Sequence, residues 1–303
     1  MNSIGIDIGG TNIKGVLIDQ SGIIIHSTQR PTFSVEERDW RENVRIMARE
    51  LLKVSGSGPC VIGISAPGLV NATNTAISFM PGRLNGLENT VWTDYLGHNC
   101  HVINDAHAAL LAESHFGAGR GCRHLAMLTL GTGVGGALLI DGHIYQGSIG
   151  RAGHLGHISI NSHAEPGITN SHGSLEDAVG NASLSRRSYG RYHNTDDLLR
   201  DYRNGFSFAS YIWLSMVRNL AAGISSIINA FSPEKIILSG GITNAGKDLF
   251  NPLEEFMDVY EWRPGGFKTP IEVALHREYA GALGAAAFGL DRAAGLTPRR
   301  NMI

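Results

Sequence analysis

The sequence Ile6-Asp7-Ile8-Gly9-Gly10-Thr11-Asn12 lies near the start of the chain and leads into the run Val16-Leu17-Ile18-Asp19. A similar sequence follows 122 positions later, where Leu128-Thr129-Leu130-Gly131-Thr132-Gly133 leads into Leu138-Leu139-Ile140-Asp141. Short apolar runs bounded by glycines are typical of buried strands, so each segment is predicted to form a hairpin that turns on glycine and threonine. The repetition predicts two similar domains.

The two predicted turns are suited to a phosphate ligand. Glycines let backbone N–H groups and threonine hydroxyls approach a ligand with no Cβ in the way. One Gly-Gly-Thr turn alone is more often an ordinary tight turn, but two of them favour a polyphosphate held between two domains. The chain contains no G-x-x-x-x-G-K-[ST] sequence, and no G-x-G-x-x-G that opens a helix with an acidic residue about 20 positions on. We therefore expect a nucleotide site of another type.

The composition disfavours nucleic-acid-binding, secreted and membrane-spanning proteins. With 303 residues the chain is long enough for two domains, and its net charge of −2 disfavours a nucleic-acid surface. Three scattered cysteines fit reduced thiols in a cytoplasm. A strand is predicted from Ile4, so we expect neither a signal peptide nor a DNA-binding domain before it. Glycines interrupt the most apolar stretch, residues 125–140, so no membrane span is expected.

Strands and helices alternate along the rest of the chain, which predicts an α/β fold with helix-covered sheets. The predicted elements are a strand at Ile23–Ile25, a helical stretch from Val35 to Val54, strands at Cys60–Ile64 and Val102–Ile103, helices at Ala106–Phe116 and Tyr211–Phe231, a strand at Lys235–Leu238, and a helix of small residues beginning near Gly281.

Several motifs together resemble the ROK family of sugar kinases and repressors, within the actin-like ATPase superfamily. The resemblance covers nearly the whole chain. The motifs that carry it are Asp7-Ile8-Gly9-Gly10-Thr11-Asn12-Ile13-Lys14, Asn104-Asp105, Leu130-Gly131-Thr132-Gly133-Val134-Gly135-Gly136, Gly153-x-x-Gly156-His157, Gly173-Ser174-Leu175-Glu176 and Ser239-Gly240-Gly241.

The resemblance implies duplicated actin-like ATPase (ribonuclease H-like) domains that flank a central cleft. We expect a smaller N-terminal domain over residues 1–117, completed by a C-terminal helix at about 286–303, and a larger domain over residues 118–285. The implied activity is transfer of the γ-phosphoryl group of ATP, with Mg²⁺, to a hydroxyl of a hexose such as glucose. A cytoplasmic homodimer is also implied.

Phosphoryl transfer to an alcohol requires a carboxylate that accepts the hydroxyl proton. Asp105 is the best candidate for this base, because it lies between a predicted strand end and a predicted helix. An aspartate there could equally cap the helix, since Asn and Asp are both favoured at N-caps. From spacing alone the two interpretations are equal, and the resemblance favours the base; both can hold if Asn104 and Asp105 divide the two roles.

The resemblance also implies the remaining site residues. Asp7 would hold Mg²⁺ through water, and an unpaired aspartate inside an apolar strand would otherwise be costly. Lys14 could reach the phosphates or be a solvated strand residue. The implied nucleotide-binding residues are Asp7, Gly9, Gly10, Thr11, Asn12, Lys14, Gly131, Thr132, Gly133, Gly240 and Gly241. The implied sugar-binding residues are Gly68, Asn104, Asp105, His154, His157 and Glu176.

The chain departs from the family pattern at two places. Members commonly bind zinc through the histidine of a G-H pair and three cysteines, but no cysteine follows Cys122, and Ser174 stands at the last cysteine position. We therefore expect no zinc in the usual form, although His154, His157, His163 and His172 could form another metal site. Hydrogen-bonded loop histidines are the more ordinary explanation of that group.

The second departure is in the sugar motif. The family usually has E-x-G-H, whereas this chain has His154-Leu155-Gly156-His157. A neutral imidazole offers one donor and one acceptor, where a carboxylate offers acceptors only. This change leaves two alternatives to glucose phosphorylation: an N-acetylhexosamine kinase, or a sugar-binding protein of the ROK type without catalysis.

Overall fold

A computed structural model of the chain describes residues 1–33, 39–80, 82, 84–167 and 170–296. The first elements along the chain are β1 (Asn2–Ile8), β2 (Asn12–Ile18), β3 (Ile24–Pro31), α1 (Trp40–Ser55), β4 (Cys60–Ala66), β5 (Leu69–Val70), β6 (Ile77–Phe79), α2 (Trp92–Leu96), β7 (Cys100–Asn104) and α3 (Asp105–Phe116). The following elements are β8 (Leu125–Leu130), β9 (Val134–Ile140), β10 (His143–Ile144), α4 (Leu175–Val179), α5 (Leu184–Arg187), α6 (Thr195–Arg203), α7 (Ser207–Phe231), β11 (Lys235–Ser239), α8 (Lys247–Tyr260), β12 (Ile271–Val273) and α9 (Ala280–Ala293).

The two five-stranded sheets have the same topology. The first has the strand order β3-β2-β1-β4-β7 and the second has the order β10-β9-β8-β11-β12. In each, two hairpins come first in the chain, and the first strand then pairs with a later parallel strand. Strands β2 and β9 are offset by the same 122 positions as the two glycine turns. The predicted duplication is therefore confirmed.

The chain divides into two compact units. One comprises Met1–Arg123, Leu138–Ala152 and the chain from Ala274 onward, and the other comprises His124–Ala137 and Gly153–Val273. The division predicted at residue 117 stays a prediction. The proposed C-terminal helix is α9, which starts at Ala280, and residues 297–303 of the predicted range lie outside the described part of the chain.

Alternate residues of β1 face different helices. Ile4, Ile6 and Ile8 are buried in one apolar cluster with Val44 and Met47 of α1. The intervening residues lie on the other side of the sheet, because successive side chains of a strand point to opposite faces. Ser3, which precedes Ile4, lies on this same side and donates from Oγ to the carbonyl of Ala286 in α9 at 2.8 Å. Hence β1 is covered by α1 on one face and by α9 on the other.

Helix α9 packs unusually close to its neighbours because the contact positions are glycines. A Cβ on Gly5 of β1 would lie 1.7 Å from the carbonyl oxygen of Ala282, and one on Gly63 of β4 would lie 1.7 Å from that of Ala285. On the side of α3, a Cβ on Gly284 would lie 1.7 Å from the carbonyl oxygen of Ala108. Backbone atoms occupy these positions, so no side-chain rotation can relieve the overlap.

Replacing Gly284 with alanine should therefore destabilise the protein by about 1–3 kcal/mol or more, as overpacked cores do. In an isolated helix the same change would stabilise, because alanine has the higher helix propensity. The measurement is the free energy of unfolding in urea. Gly289→Ala, in the same helix, is the control: its Cβ would lie 3.1 Å from Ser3 Oγ, and the loss should be smaller. A Gly284→Ala protein as stable as the wild type would contradict this packing.

Most predicted elements appear within a few residues of their expected bounds. The predicted helix from Val35 is α1, which begins at Trp40 after the N-cap Asp39; residues 35–38 lie outside the described chain. Of the helices described, α7 is long and apolar enough to cross a membrane, but its apolar side chains are mostly buried within its own unit. Core helices of globular proteins have the same character, so α7 is weak evidence of a membrane span.

Candidate active site

The first glycine turn presents two unpaired backbone donors. Its carbonyls are engaged by neighbours: Thr32 donates from Oγ1 to Gly9 O at 2.6 Å and from its N–H to Thr11 O at 2.8 Å. The Gly9 N–H donates to Asn12 O at 3.0 Å, which closes the turn. Among the described residues, none accepts a hydrogen bond from the N–H of Gly10 or Thr11. A turn with occupied carbonyls and free amides is suited to an anion.

The second turn repeats this arrangement with different partners. Gly131 O accepts from Asn181 N–H at 2.9 Å, and Thr132 O accepts from Ala182 N–H at 2.8 Å. The Gly131 N–H donates to Gly133 O at 3.0 Å. Within the described ranges, the N–H groups of Thr132 and Gly133 have no acceptor. Each turn thus has two backbone N–H groups that no described residue of the protein accepts from.

The Gly240-Gly241 step lies beside the second turn. Gly240 has φ of +92°, and a Cβ there would lie 2.3 Å from Leu130 O, at the end of β8. Thr243 donates from Oγ1 to Gly240 O at 2.7 Å, and Gly241 begins the short 3₁₀ turn that follows. Only glycine fits this backbone conformation at this distance.

The structure assigns the capping role that the sequence left open to Asn104. Asn104 is the N-cap of α3, and its Oδ1 accepts from Ala106 N–H at 3.0 Å and from His107 N–H at 3.3 Å. Its Nδ2 donates to the carbonyl of Gly68 at 3.1 Å, which fixes the amide. Asp105 is the first helical residue and is exposed. Its Oδ1 accepts from Ala106 N–H at 2.8 Å, and its role as the base stays a prediction.

Asp7 projects from β1 toward the first turn of α9. Its Oδ1 accepts from Ser65 Oγ of the neighbouring strand β4 at 2.6 Å, in the register that pairs these two residues. A Cβ on Gly281 would lie 2.4 Å from the Asp7 carboxyl carbon, so only glycine leaves room for this side chain. Ser65 and Gly281 were not among the residues predicted from the sequence. Ser65 could have been found from the sequence as a polar residue within the otherwise apolar strand β4.

The Asp7 carboxyl is electrostatically perturbed. Burial raises the pKa of Asp7 to about 6; the nearby charge of Asp105 also raises this pKa, while the Ser65 hydrogen bond and the charge of Lys14 lower it. A divalent cation bound here would relieve the repulsion that Asp7 experiences from the Asp105 charge. The donor set is hard oxygen, which fits Mg²⁺ held by one or two carboxylates, water and ligand phosphates.

Lys14 is engaged by residues that precede α9. Its Nζ donates to the carbonyl of Glu278 at 3.0 Å and lies 3.9 Å from the Glu278 carboxylate. The ammonium also lies 5.8 Å from the centroid of the Tyr279 ring. A phosphate contact by Lys14 stays a prediction, and it requires the ammonium to share or leave these partners.

The predicted sugar residues of the second unit lie in one region of it. The ring centroids of His154 and His157 are 6.3 Å apart, and the buried Nδ1 of His157 has no partner among the described residues. A Cβ on Gly156, between them, would lie 1.8 Å from Val134 O, so the segment packs directly on β9. Glu176, in α4, accepts from Val134 N–H at 2.9 Å. His154, His157 and Glu176 are thus all next to the second glycine turn.

The alternative metal site considered for the four histidines is not seen among the described residues. In the described residues no group of three His, Cys, Asp or Glu side chains is arranged to hold a metal ion. His172 contacts the carbonyl of Ala164 through Nδ1 at 2.7 Å, as a loop histidine does. The expectation that zinc is absent stays a prediction.

Comparison with known proteins identifies the family. Residues 3–292 match the ROK family. The glucokinase of Thermotoga maritima is 33% identical over 317 residues, which cover 96% of this chain and 98% of that protein. The chain belongs to the ROK family.

Solved structures of ROK proteins share the fold. The ROK hexokinase from Thermus thermophilus has a TM-score of 0.88 and is 27% identical to this chain. The similarity covers 97% of this chain and 100% of the hexokinase chain. The ROK glucokinase from Streptomyces griseus, solved with glucose and AMPPNP, has a TM-score of 0.76 and 24% identity, covering 96% and 100% of the two chains. The predicted duplicated actin-like ATPase fold is confirmed.

Proposed function

We propose that this ROK protein is an ATP- and Mg²⁺-dependent sugar kinase that phosphorylates a hydroxyl of a hexose, glucose or a close relative. The observation that carries the proposal is the exposed carboxylate of Asp105 at the start of α3, next to the N-cap residue Asn104. A protein that only binds sugar needs no such base. The Thermotoga glucokinase and the Thermus hexokinase support the substrate class.

In this proposal each group performs one task. The free amides of the two glycine turns bind the polyphosphate, and the Asp105 carboxylate accepts the proton of the attacking hydroxyl. Asp7 would hold Mg²⁺ through water, and the cation supplies neutralisation of phosphate charge. His157 and Glu176 bind sugar hydroxyls, together with Asn104, Gly68 and His154.

A catalytically inactive sugar-binding protein is the second candidate, and it is favoured by His154 in place of the family's glutamate. An N-acetylhexosamine kinase is the alternative within the same chemistry. In each case we propose a homodimer, as the family resemblance implies, and a cytoplasmic protein that binds neither nucleic acid nor membrane, as the charge, the cysteines and the apolar pattern of the sequence favour.

An ADP-release assay separates these candidates. Purified protein with Mg²⁺ and ATP is given hexoses, amino sugars and N-acetylated sugars in turn, with a sample without sugar as the control. We expect glucose or a close relative to raise ADP release far above the control. Preference for an N-acetylated sugar would favour the alternative kinase, and no stimulation by any sugar would favour the non-catalytic protein.

His154 should set the preference among sugars. We expect His154→Glu to restore an acceptor-only group and to change the ranking of sugars by kcat/KM, while KM for ATP changes little. The measurement is kcat and KM for each sugar of the same panel in both proteins. If His154 only packs its glycine-rich loop, the variant will lose stability and keep the wild-type ranking.

A further inference from the structure

The carboxylate of Glu176 lies directly against the second glycine turn. Its Oε2 accepts from the backbone N–H of Val134, the residue that follows the turn, at 2.9 Å. A Cβ on Gly133 would lie 2.2 Å from the same oxygen. This contact therefore exists only because residue 133 has no side chain. The family resemblance assigns Glu176 to the sugar, which does not explain an oxygen committed to the turn.

The chain around Glu176 holds the other side of the turn. Helix α4 ends at Val179, and the two residues after Gly180 donate their N–H groups to the carbonyls of Gly131 and Thr132. The Gly180 N–H donates to the carbonyl of Glu176 at 2.7 Å, which closes α4. The turn is consequently bound to α4 and its C-terminal extension through the backbone, and to Glu176 through a side chain.

The two carboxylate oxygens of Glu176 have different environments. Oε2 is engaged by Val134 N–H, whereas Oε1 accepts no hydrogen bond from any residue in the described ranges. A carboxylate has acceptor sites on both oxygens, so Oε1 can receive a sugar hydroxyl while Oε2 keeps the turn. The Glu176 side chain can then bind the sugar through one oxygen and hold the nucleotide-binding turn through the other.

We propose that Glu176 is a positioning residue for the nucleotide, holding the Gly131–Gly133 turn in its phosphate-binding conformation through Oε2. The inference rests on the proposed function, because it assigns a role in that same site. A sugar hydroxyl on Oε1 restricts the carboxylate and so stabilises the turn. Sugar and nucleotide binding are thereby coupled, and the coupling is reciprocal.

Nucleotide binding in the absence of sugar tests the proposal. The dissociation constant of Mg²⁺–AMPPNP is measured by calorimetry for the wild type, Glu176→Ala and Glu176→Gln. Glu176→Ala should weaken binding by about tenfold, since a hydrogen bond to a charged group is lost from the turn. Glu176→Gln should stay within about twofold of the wild type, because an amide oxygen still accepts from Val134 N–H. Glu176→Gln should also raise KM for sugar.

His157→Gln is the matched control. It removes another proposed sugar contact without a described hydrogen bond to the turn, so sugar affinity should fall and the nucleotide dissociation constant should stay at the wild-type value. Circular dichroism and thermal unfolding of each variant show whether it is folded. A wild-type protein that does not bind Mg²⁺–AMPPNP would contradict the proposed function itself. Wild-type binding that Glu176→Ala leaves unchanged would overturn only the role of Glu176.

Gly133→Ala keeps the proposal testable if Glu176→Ala fails to fold. The added Cβ displaces Oε2, so nucleotide binding should weaken by about the same tenfold factor. In a Glu176→Asp background the side chain is one methylene shorter and its carboxylate does not reach the added Cβ, so Gly133→Ala should cause a smaller further loss, because contacting residues do not act additively. An equal loss in both backgrounds would mean that the methyl group blocks phosphate directly, and the assigned role would be wrong.

Discussion

Replacing Asp105 with asparagine is expected to lower kcat by about 10²–10⁴-fold, the usual contribution of a positioned acid–base group. An amide cannot accept the hydroxyl proton. The helix itself should be unaffected, because Asn104 supplies the N-cap and an asparagine oxygen can still accept from Ala106 N–H as Asp105 Oδ1 does at 2.8 Å. Sugar binding should therefore remain close to that of the wild type.

The measurements are kcat and KM for sugar and ATP, with thermal unfolding as the check on folding. Asp94→Asn is a matched control, because Asp94 is also an exposed aspartate in the first turn of a helix. It should leave kcat unchanged. If Asp105→Asn keeps more than about a tenth of the wild-type kcat, the proton is accepted by another group.

Replacing Asp7 with asparagine should separate activity from stability. Loss of the carboxylate proposed to hold Mg²⁺ should lower kcat/KM for Mg²⁺–ATP by about 10²-fold or more, as for other groups that stabilise developing charge. The same change should stabilise the folded protein at pH 8, because an ionised carboxylate that is partly desolvated and close to the Asp105 charge is unfavourable.

The pH dependence of this stabilisation follows from the raised pKa. The folded protein binds the Asp7 proton more tightly than the unfolded chain, since the pKa is about 6 rather than 3.8. The free energy of unfolding of the wild type should consequently fall as the pH rises from about 4 to about 6. Above that range Asp7 is ionised in both states, so no further loss is expected. A pKa shift of this size lowers the free energy of unfolding by about 3 kcal/mol at most. Asparagine does not ionise, so its advantage should vanish near pH 4.

Chemical denaturation of both proteins at pH 4.5 and pH 8 measures this difference. Asp19→Asn provides a control of opposite sign, because hydrogen bonds from the Ser21 side chain and the Ile23 backbone lower the pKa of Asp19. Removing that carboxylate should destabilise at pH 8. An Asp7→Asn protein that is less stable than the wild type at pH 8 would show that the carboxylate is accommodated as an ion.

Features that depend on short stretches of sequence were predictable. The spacing of apolar residues and glycines placed both hairpins, and their equal offset predicted the duplicated sheets. The same reasoning placed a cap at Asn104 or Asp105, because capping preferences act within one helical turn. Only the structure shows that Asn104 is the cap, and the base role of Asp105 stays a prediction.

Contacts between distant parts of the chain decided the rest of the site. The partner of Lys14 is Glu278, which faces it only because α9 returns to the first sheet. Ser65 and Gly281 surround Asp7 from β4 and α9. Glu176 was predicted as a sugar ligand, but its hydrogen bond to Val134 joins residues that no local pattern connects.

The sequence by itself thus determined the strand hairpins, the duplication, the family and the residue types needed for phosphoryl transfer. Tertiary structure decided the ionisation of Asp7, the partners of Lys14 and the two environments of the Glu176 carboxylate. The physical reason is range: periodicity, turns and caps act over a few residues, whereas desolvation and close backbone packing depend on which distant segments the fold brings together.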